Sequence, residues 1–194
     1  MKAARRARGG PERARLFVAL DLPEDVRAHV AEWQREALKR VPELRGVVPE
    51  ALHVTLCFIG WRELGELDTI GGAVTAAAAA VPGVALDGPV WLPRRRPRVL
   101  ALGIDDSESA CLRLQEAVSA ALVRGRWFEP ERRPFFPHVT VGRMRAGTGR
   151  APASRPLPEA PAPLRFAGAA LTLYRSRPTA GGATYEPLAR AVLA

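Results

Sequence analysis

Two histidines of this sequence lie in the same short frame, in the stretches ALHVTLCFIG and FFPHVTVGR. The chain contains three histidines in all, and His53 and His138 are each followed by a valine and a threonine. Alternate side chains of a β-strand lie on one face, so each motif presents an imidazole together with the hydroxyl of Thr55 or Thr140. Because the ordinary pKa of histidine lies near neutral pH, one imidazole can donate a proton while the other accepts one.

This pair of motifs suits in-line displacement at phosphorus. A neutral imidazole can take a proton from the attacking water, and an imidazolium can protonate the departing oxygen. The hydroxyls of Thr55 and Thr140 can donate hydrogen bonds to the non-bridging oxygens, whose charge grows in the transition state. The motifs therefore predict a phosphodiesterase that needs no metal and no cofactor, with His53 and His138 as its acid and base.

Two other interpretations of the histidines compete with this one. Each motif can be a core strand that carries an incidental histidine, which is the better explanation for a single copy. A zinc site would need a third ligand, and the remaining histidine, His29, lies on a predicted helix without an obvious partner. Two copies at matched positions favour the phosphodiesterase.

Each motif ends a repeated unit of strand, helix and strand. In the first half RLFVALDLP predicts a strand, residues 23–40 an amphipathic helix, and LHVTLCFIG a second strand. In the second half RVLALGID predicts a strand, residues 107–125 a helix capped by Ser107, and FFPHVTVGR the last strand. This repetition predicts an internal duplication, and a pseudo-twofold axis between the halves would bring both motifs to one cleft.

The other segments predict antiparallel pairing and surface connections. VALDGPVWLPRRRPRVLALGI predicts two strands around an arginine-rich turn, and LTLYRSRP with ATYEPLARAVL predicts a C-terminal hairpin. Residues 73–86 predict a helix followed by a turn, and the proline-rich residues 146–163 a surface connection. Residues 1–13 predict a disordered basic tail, which leaves 14–194 as a single domain of two lobes.

Composition narrows the class of partner and the compartment. The formal net charge of +9 permits a polyanionic partner, although arginine supplies all basic residues except Lys2 and Lys39, which indicates a bias of the whole chain. No apolar run approaches the roughly 20 residues that span a bilayer, so no membrane partner is expected. Two cysteines, Cys57 and Cys111, cannot form a disulfide framework, and we expect a cytoplasmic protein. Strict alternation places Cys57 on the face of His53, without a chemical role.

On these residues the chain resembles the two-histidine phosphoesterases, and within them the RNA 2′,3′-cyclic phosphodiesterases, also called 2′-5′ RNA ligase-like proteins. The resemblance extends over nearly everything after the tail and is most specific in the paired H-x-T motifs and the approach RPFFPH. It implies an α+β fold with two pseudo-symmetric lobes, each with an antiparallel sheet and outer helices, and an active-site cleft between them. It also implies hydrolysis of a 2′,3′-cyclic phosphate to a 2′-phosphate, with His53 as the proton donor and His138 as the acceptor.

Three further residues are expected at the substrate. The resemblance implies that Arg143 lies near the phosphate, although it lies five residues after His138 and would face the other way in a regular strand. A bulge at Gly142 would re-aim it. Phe17 is a candidate to stack on a base, and Arg133, just before the second motif, is a weaker candidate for a substrate contact.

Two functions besides hydrolysis stay open from the sequence. The same site run in reverse would be a 2′-5′ RNA ligase, as microscopic reversibility allows. A different class of protein, a module that binds RNA or tRNA ends without turnover, would share the basic charge. In each case the expected partners are RNA ends or cyclic nucleotides, and the chain is expected to act as a monomer.

Overall fold

The structure is a computed structural model, which describes residues 12–145, 147, 156–179 and 182–193. Its helices and strands follow the chain in this order: β1 (Arg13–Asp21), α1 (Glu24–Lys39), β2 (Leu44–Gly46), β3 (His53–Glu63), α2 (Leu67–Ala76), β4 (Val84–Leu92), β5 (Val99–Asp105), α3 (Ala110–Arg124), β6 (His138–Met144), β7 (Arg165–Phe166), β8 (Ala170–Thr179) and β9 (Gly182–Val192). Short 3-10 helices, Pro49–Ala51 and Leu64–Glu66, precede and follow β3.

The strands form two antiparallel groups that meet in the middle of one sheet. The order β7-β4-β5-β6-β3-β1-β8-β9 places one H-x-T motif in each group, on the central neighbours β6 and β3, and β2 pairs with β6. Extensive pairing joins the strands within each group, whereas β3 and β6 are in register only at Val54 and Val139. The predicted α+β fold of two lobes is confirmed. The two groups of strands are joined where the motifs lie, through the single residue pair in register between β3 and β6.

Strand β1 shows how the sequence builds each layer. Leu16, Val18 and Leu20 are buried in the hydrophobic core, and the intervening residues Phe17 and Ala19 lie on the opposite face, as the alternation predicts. Packed on the core side, α1 buries Val26 and Val30, with Glu24 and Asp25 in its first turn and Lys39 in its last, where they complement the helix dipole. In the described part of the chain no helix has the length and apolarity needed to cross a membrane.

The start of α3 differs from the prediction. The helix begins at Ala110 with Ser109 at its N-cap, and the side chain that bonds its free N–H groups is that of Asp106 rather than Ser107. The carboxylate oxygens of Asp106 accept hydrogen bonds from the backbone N–H groups of Cys111 and Leu112, each at 2.9 Å. The two carboxylate oxygens of Asp106 thus satisfy two of the N–H groups that have no partner within the helix.

The helix predicted in the first part of residues 73–86, before a turn, has different bounds in the structure. The helix α2 ends at Ala76 and begins earlier, at Leu67, because Ile70 and Val74 supply an apolar face one turn apart that the core covers. Ala77 and Ala78 follow outside the helix and pack, partly buried, against the core.

The two predicted irregular segments are described only in part. β1 begins at Arg13, inside the stretch predicted as a tail, and residues 1–11 lie outside the described residues. Residues 146 and 148–155 of the proline-rich connection also lie outside them. Residues 156–163 have no helix or strand and pack on α1, where the Trp33 indole donates a hydrogen bond to the Glu159 carbonyl at 2.8 Å.

Candidate active site

The two motif histidines lie on the same face of the sheet at the junction of its two groups. His53 begins β3 and His138 begins β6, each one residue before the valine of the Val54–Val139 pair. Both valines are fully buried on the core side, so both imidazoles are on the other side. In this antiparallel register the histidines are diagonal neighbours, a relation that places side chains about 7–8 Å apart. His138 accordingly lowers the pKa of His53.

Backbone carbonyls fix the tautomer of each ring. His53 Nδ1 donates a hydrogen bond to the Ala51 carbonyl at 2.8 Å, and His138 Nδ1 donates one to the Phe136 carbonyl at 2.7 Å. Because a carbonyl oxygen can only accept, the proton is on Nδ1 in both rings and Nε2 is the reactive nitrogen. His53 Nε2 lies 3.1 Å from the Thr55 hydroxyl, whereas His138 Nε2 has no hydrogen-bond partner among the described residues.

The surroundings lower the pKa of both imidazoles. Burial lowers the pKa of His53 to about 4, with smaller decreases from the charges of Arg143 and His138. The bond to the Ala51 carbonyl and the charge of Asp21 act in the opposite direction. Burial and Arg143 also lower the pKa of His138, against the bond to the Phe136 carbonyl. Both rings are therefore neutral at pH 7 without ligand, and an anion placed between them would raise both pKa values.

A bulge in β6 brings Arg143 to the face of the histidines. The register skips Val141, next to the predicted position Gly142, so the strand gains one residue and the alternation shifts. The pairs that share this face are His138 with Gly103, Thr140 with Ala101, and Arg143 with Val99. The predicted re-aiming of Arg143 is confirmed, and its charge acts on the pKa of both imidazoles.

A matching bulge in β3 reverses one prediction. The register skips Leu56, and the next pairs are Cys57 with Val18 and Phe58 with Phe17. Cys57 therefore points into the core, where its Sγ contacts Gln115 Nε2 of α3 at 3.9 Å and burial raises the thiol pKa to about 12. Its predicted position beside His53 is wrong, because the bulge exchanges it for Phe58, whose side chain is 54% exposed.

A cluster of aromatic rings packs against the His53 ring. The Phe17 ring stacks on the His53 ring at 5.0 Å and on Tyr174 at 5.3 Å, and the edge of Tyr185 lies 4.9 Å away. Phe17 is only 4% exposed, so its predicted contact with a base is corrected: the ring is covered by its neighbours and fixes the orientation of His53. The two tyrosines come from the C-terminal hairpin, which the sequence did not connect to the site.

The prediction also missed a buried carboxylate directly opposite His53. Asp21 is 9% exposed, and β1 pairs it with His53. It accepts hydrogen bonds from the Thr172 hydroxyl at 2.8 Å, the Tyr174 hydroxyl at 2.9 Å and Arg190 Nε at 3.4 Å. Burial and Asp21 raise the pKa of Tyr174 to about 12, so this phenol stays a donor. Alternation along β1 signals the face of Asp21, but only the register places it opposite His53.

The remaining predicted residue, Arg133, is separate from this cluster. Its exposed side chain forms an ion pair with Glu131 at 2.7 Å on the loop that leads to His138. Within the described ranges no group of three or more His, Cys, Asp or Glu residues is arranged to hold a metal ion. The groups brought together are thus the two histidines, the two threonines and Arg143.

Two equivalent imidazole–hydroxyl pairs at the junction of a duplicated antiparallel sheet define a two-histidine phosphoesterase. A family model described as the 2′-5′ RNA ligase superfamily matches residues 22–179, and the chain belongs to that superfamily.

Named relatives extend over most of the chain. It is 31% identical to the RNA 2′,3′-cyclic phosphodiesterase of Escherichia coli, over 92% of this chain and 96% of that protein. It is 35% identical to the protein of the same name from Thermus thermophilus, over 71% and 72%. The crystal structure of E. coli LigT complexed with 3′-AMP superposes with a TM-score of 0.75 at 28% identity, over 94% of this chain and 99% of that one.

Proposed function

We propose that this protein hydrolyses the 2′,3′-cyclic phosphate of RNA ends or nucleotides to a 2′-phosphate. The observation that carries the proposal is the pair of Nε2 atoms that lie on one face of the sheet, each made reactive by a backbone bond to Nδ1. The relatives from E. coli and T. thermophilus are named for this activity, and LigT has been crystallised with a nucleotide.

The reaction needs one proton accepted and one donated. His138 Nε2 takes a proton from water as the water oxygen bonds to phosphorus, and the P–O3′ bond breaks. His53 Nε2 gives its proton to the departing O3′, so the phosphate remains on O2′ and the pair of histidines keeps its total charge. A second proton exchange with solvent restores the starting state.

One charge beside the rings supports this assignment of acid and base, although burial lowers the pKa of His53 to about 4. Asp21 is a negative charge on the His53 side, and it raises the pKa of His53. The groups that act on the pKa of His138 include no carboxylate. The anionic diester bound between the rings would raise both pKa values, and the charge of Asp21 adds to this rise at His53 alone.

Three donors are placed to bind the phosphate oxygens. The hydroxyls of Thr55 and Thr140 and the guanidinium of Arg143 share the face of the imidazoles. A charged donor such as Arg143 stabilises the extra negative charge of the transition state more than that of the diester. Arg133 is proposed as an outer substrate contact, because it is exposed on the approach to His138.

The test is hydrolysis of a 2′,3′-cyclic nucleotide in the presence of a chelator, followed by ³¹P NMR to identify the remaining ester. We expect a 2′-phosphate, and a roughly 10²- to 10⁴-fold lower kcat for His53→Ala and for His138→Ala. His29→Ala is the matched control, since this histidine lies on α1 away from the sheet face. Activity that requires added metal, or a 3′-phosphate product, would contradict the proposal.

The same preparation separates the other two functions. Net formation of 2′-5′ linkages when 5′-hydroxyl RNA is in excess would favour a ligase. Tight RNA binding without turnover by the unmodified chain would favour a binding module. We also propose that the chain acts as a monomer in the cytoplasm, where both buried cysteines stay reduced.

A further inference from the structure

The sheet face that carries His53 continues well beyond the catalytic groups. On this face, four residues of β3 pair with residues of the neighbouring strand β1: His53 with Asp21, Thr55 with Ala19, Phe58 with Phe17, and Trp61 with Arg15. A strand advances about 3.4 Å per residue, so the six steps from Asp21 to Arg15 extend about 20 Å from the histidine. One nucleotide held at the histidines cannot reach the far end of this row.

The far end combines exposed aromatic rings with positive charge. Phe58 and Trp61 are 54% and 53% exposed, although rings of this size on a sheet face are usually covered. Arg15 lies opposite Trp61 on the same face, and Arg13 Nη2 donates a hydrogen bond to the Trp61 carbonyl at 3.2 Å. We define Phe58, Trp61, Arg13 and Arg15 as the β3 track.

We propose that the β3 track binds the single-stranded RNA upstream of the terminal cyclic phosphate, with bases stacked on Phe58 and Trp61 and the backbone near the arginines. This inference rests on the proposed function and deepens it, because it makes oligonucleotides the preferred substrates. Exposed aromatic rings alternating with arginine are the usual surface for single-stranded nucleic acid. The track is also continuous with the catalytic face, which a separate protein-binding site would not require.

A comparison of substrate lengths tests the inference. The substrates are RNAs of one to five nucleotides, from the mononucleotide 2′,3′-cyclic phosphate to a pentanucleotide, which all end in the same nucleotide and the same cyclic phosphate. For the unmodified chain we expect KM to fall with each added nucleotide until the RNA reaches Trp61, and then to stay constant.

Substitution at the far end should separate the two substrates. Trp61→Ala is expected to raise the KM of the pentanucleotide by about tenfold or more, as the loss of one base–aromatic stack implies. The KM and kcat of the mononucleotide should stay within about twofold, because Trp61 lies beyond its reach. Trp61→Phe should recover most of the affinity, and Arg15→Ala should reduce the dependence of the pentanucleotide KM on salt.

Matched controls lie on the outer face of α3. Val123 is an exposed apolar side chain and Arg124 an exposed arginine, so Val123→Ala and Arg124→Ala should change neither substrate. Equal pentanucleotide KM values for Trp61→Ala and the unmodified chain would overturn the track while leaving the proposed function intact. Failure of the unmodified chain to turn over either substrate would instead overturn the proposed function. Self-association that Trp61→Ala abolishes would assign the surface to a second copy of the chain and overturn the RNA track.

Discussion

The two halves of the sheet carry the same H-x-T motif but differ in the residue five positions after its histidine. In each half a histidine and a threonine are followed by one bulged residue, which returns the residue five after the histidine to the catalytic face. That residue is Phe58 in the first half and Arg143 in the second. The repeated part places acid and base symmetrically, whereas the unequal part gives one side of the cleft an aromatic surface and the other a charge.

The partner strands differ in the same way. Opposite the histidine, β1 carries Asp21 and β5 carries Gly103, and two rungs further along β1 carries Phe17 where β5 carries Val99. Only the first half therefore places a carboxylate and a cluster of several rings beside its histidine, whereas His138 stacks on the single exposed ring of Phe136 at 5.6 Å. A duplicated frame needs such differences before two identical imidazoles can take opposite roles.

The largest effect should distinguish the two histidines by the leaving group. A p-nitrophenyl phosphodiester departs without protonation, so His53→Ala should lose far less activity with it than the roughly 10²- to 10⁴-fold expected with a cyclic nucleotide. His138→Ala should lose a similar factor with both substrates. Steady-state kcat/KM of each variant with each substrate measures the difference. If His53→Ala loses the same factor with both substrates, the assignment of acid and base is wrong.

Removal of Arg143 should give the next largest effect. Arg143→Ala is expected to lower kcat by roughly 100-fold, because a charged donor to the transition state is lost. Its charge lowers the pKa of both imidazoles, so the kcat/KM maximum should also move to higher pH. Phe58→Ala, at the equivalent position, should leave that maximum in place. A maximum that does not move in Arg143→Ala would contradict the placement.

The wild-type pH profile follows from the lowered pKa values. The active form needs a proton on His53 and none on His138, so kcat/KM should be bell-shaped with its maximum between the His53 pKa of about 4 and the ordinary value of 6.5. The kcat profile should lie at higher pH, because the bound diester raises both pKa values. Initial rates measured across pH in the presence of a chelator give both the kcat/KM and the kcat profile. A kcat/KM maximum above pH 6.5 would contradict the lowered pKa values.

A smaller effect should come from Asp21. Asp21→Asn keeps the side-chain shape but removes the negative charge that raises the His53 pKa. The acid limb of kcat/KM should move to lower pH and the maximum should fall, by roughly tenfold for each unit of pKa. The alkaline limb, which reports His138, should stay unchanged. Thr172→Val removes one donor to Asp21 without removing its charge, and serves as the matched comparison.

The smallest effect concerns stability. Since the pKa of His53 is lowered to about 4 in the folded chain, the unfolded chain binds more protons between pH 6.5 and 4. Stability should therefore fall as the pH drops through this range, and His53→Gln should fall less steeply. Urea midpoints at several pH values measure the difference. Parallel slopes for both proteins would show that His53 is not buried as described.

The sequence predicts most of this fold because its signals are local. Period-two alternation in β1 and helical spacing in α1 depend on neighbouring residues, and the repeated H-x-T frame identifies the histidines without any structure. What it could not predict depends on distant pairing. Only the β1–β3 register places Asp21 opposite His53, and the bulge at Leu56, which sends Cys57 into the core, has no glycine or proline to signal it. The Tyr174 and Tyr185 contacts require the C-terminal hairpin to join β1.

The bulge at Val141 makes the site sensitive to chain length rather than to chemistry. Side chains alternate with a period of two, so deletion of this one residue would turn the guanidinium of Arg143 into the apolar layer. Both imidazoles would remain in place, so the protein would keep its acid and its base. It would lose the guanidinium that binds the phosphate. Lineages that shorten this strand by a single codon should therefore carry a new cation elsewhere on the cleft.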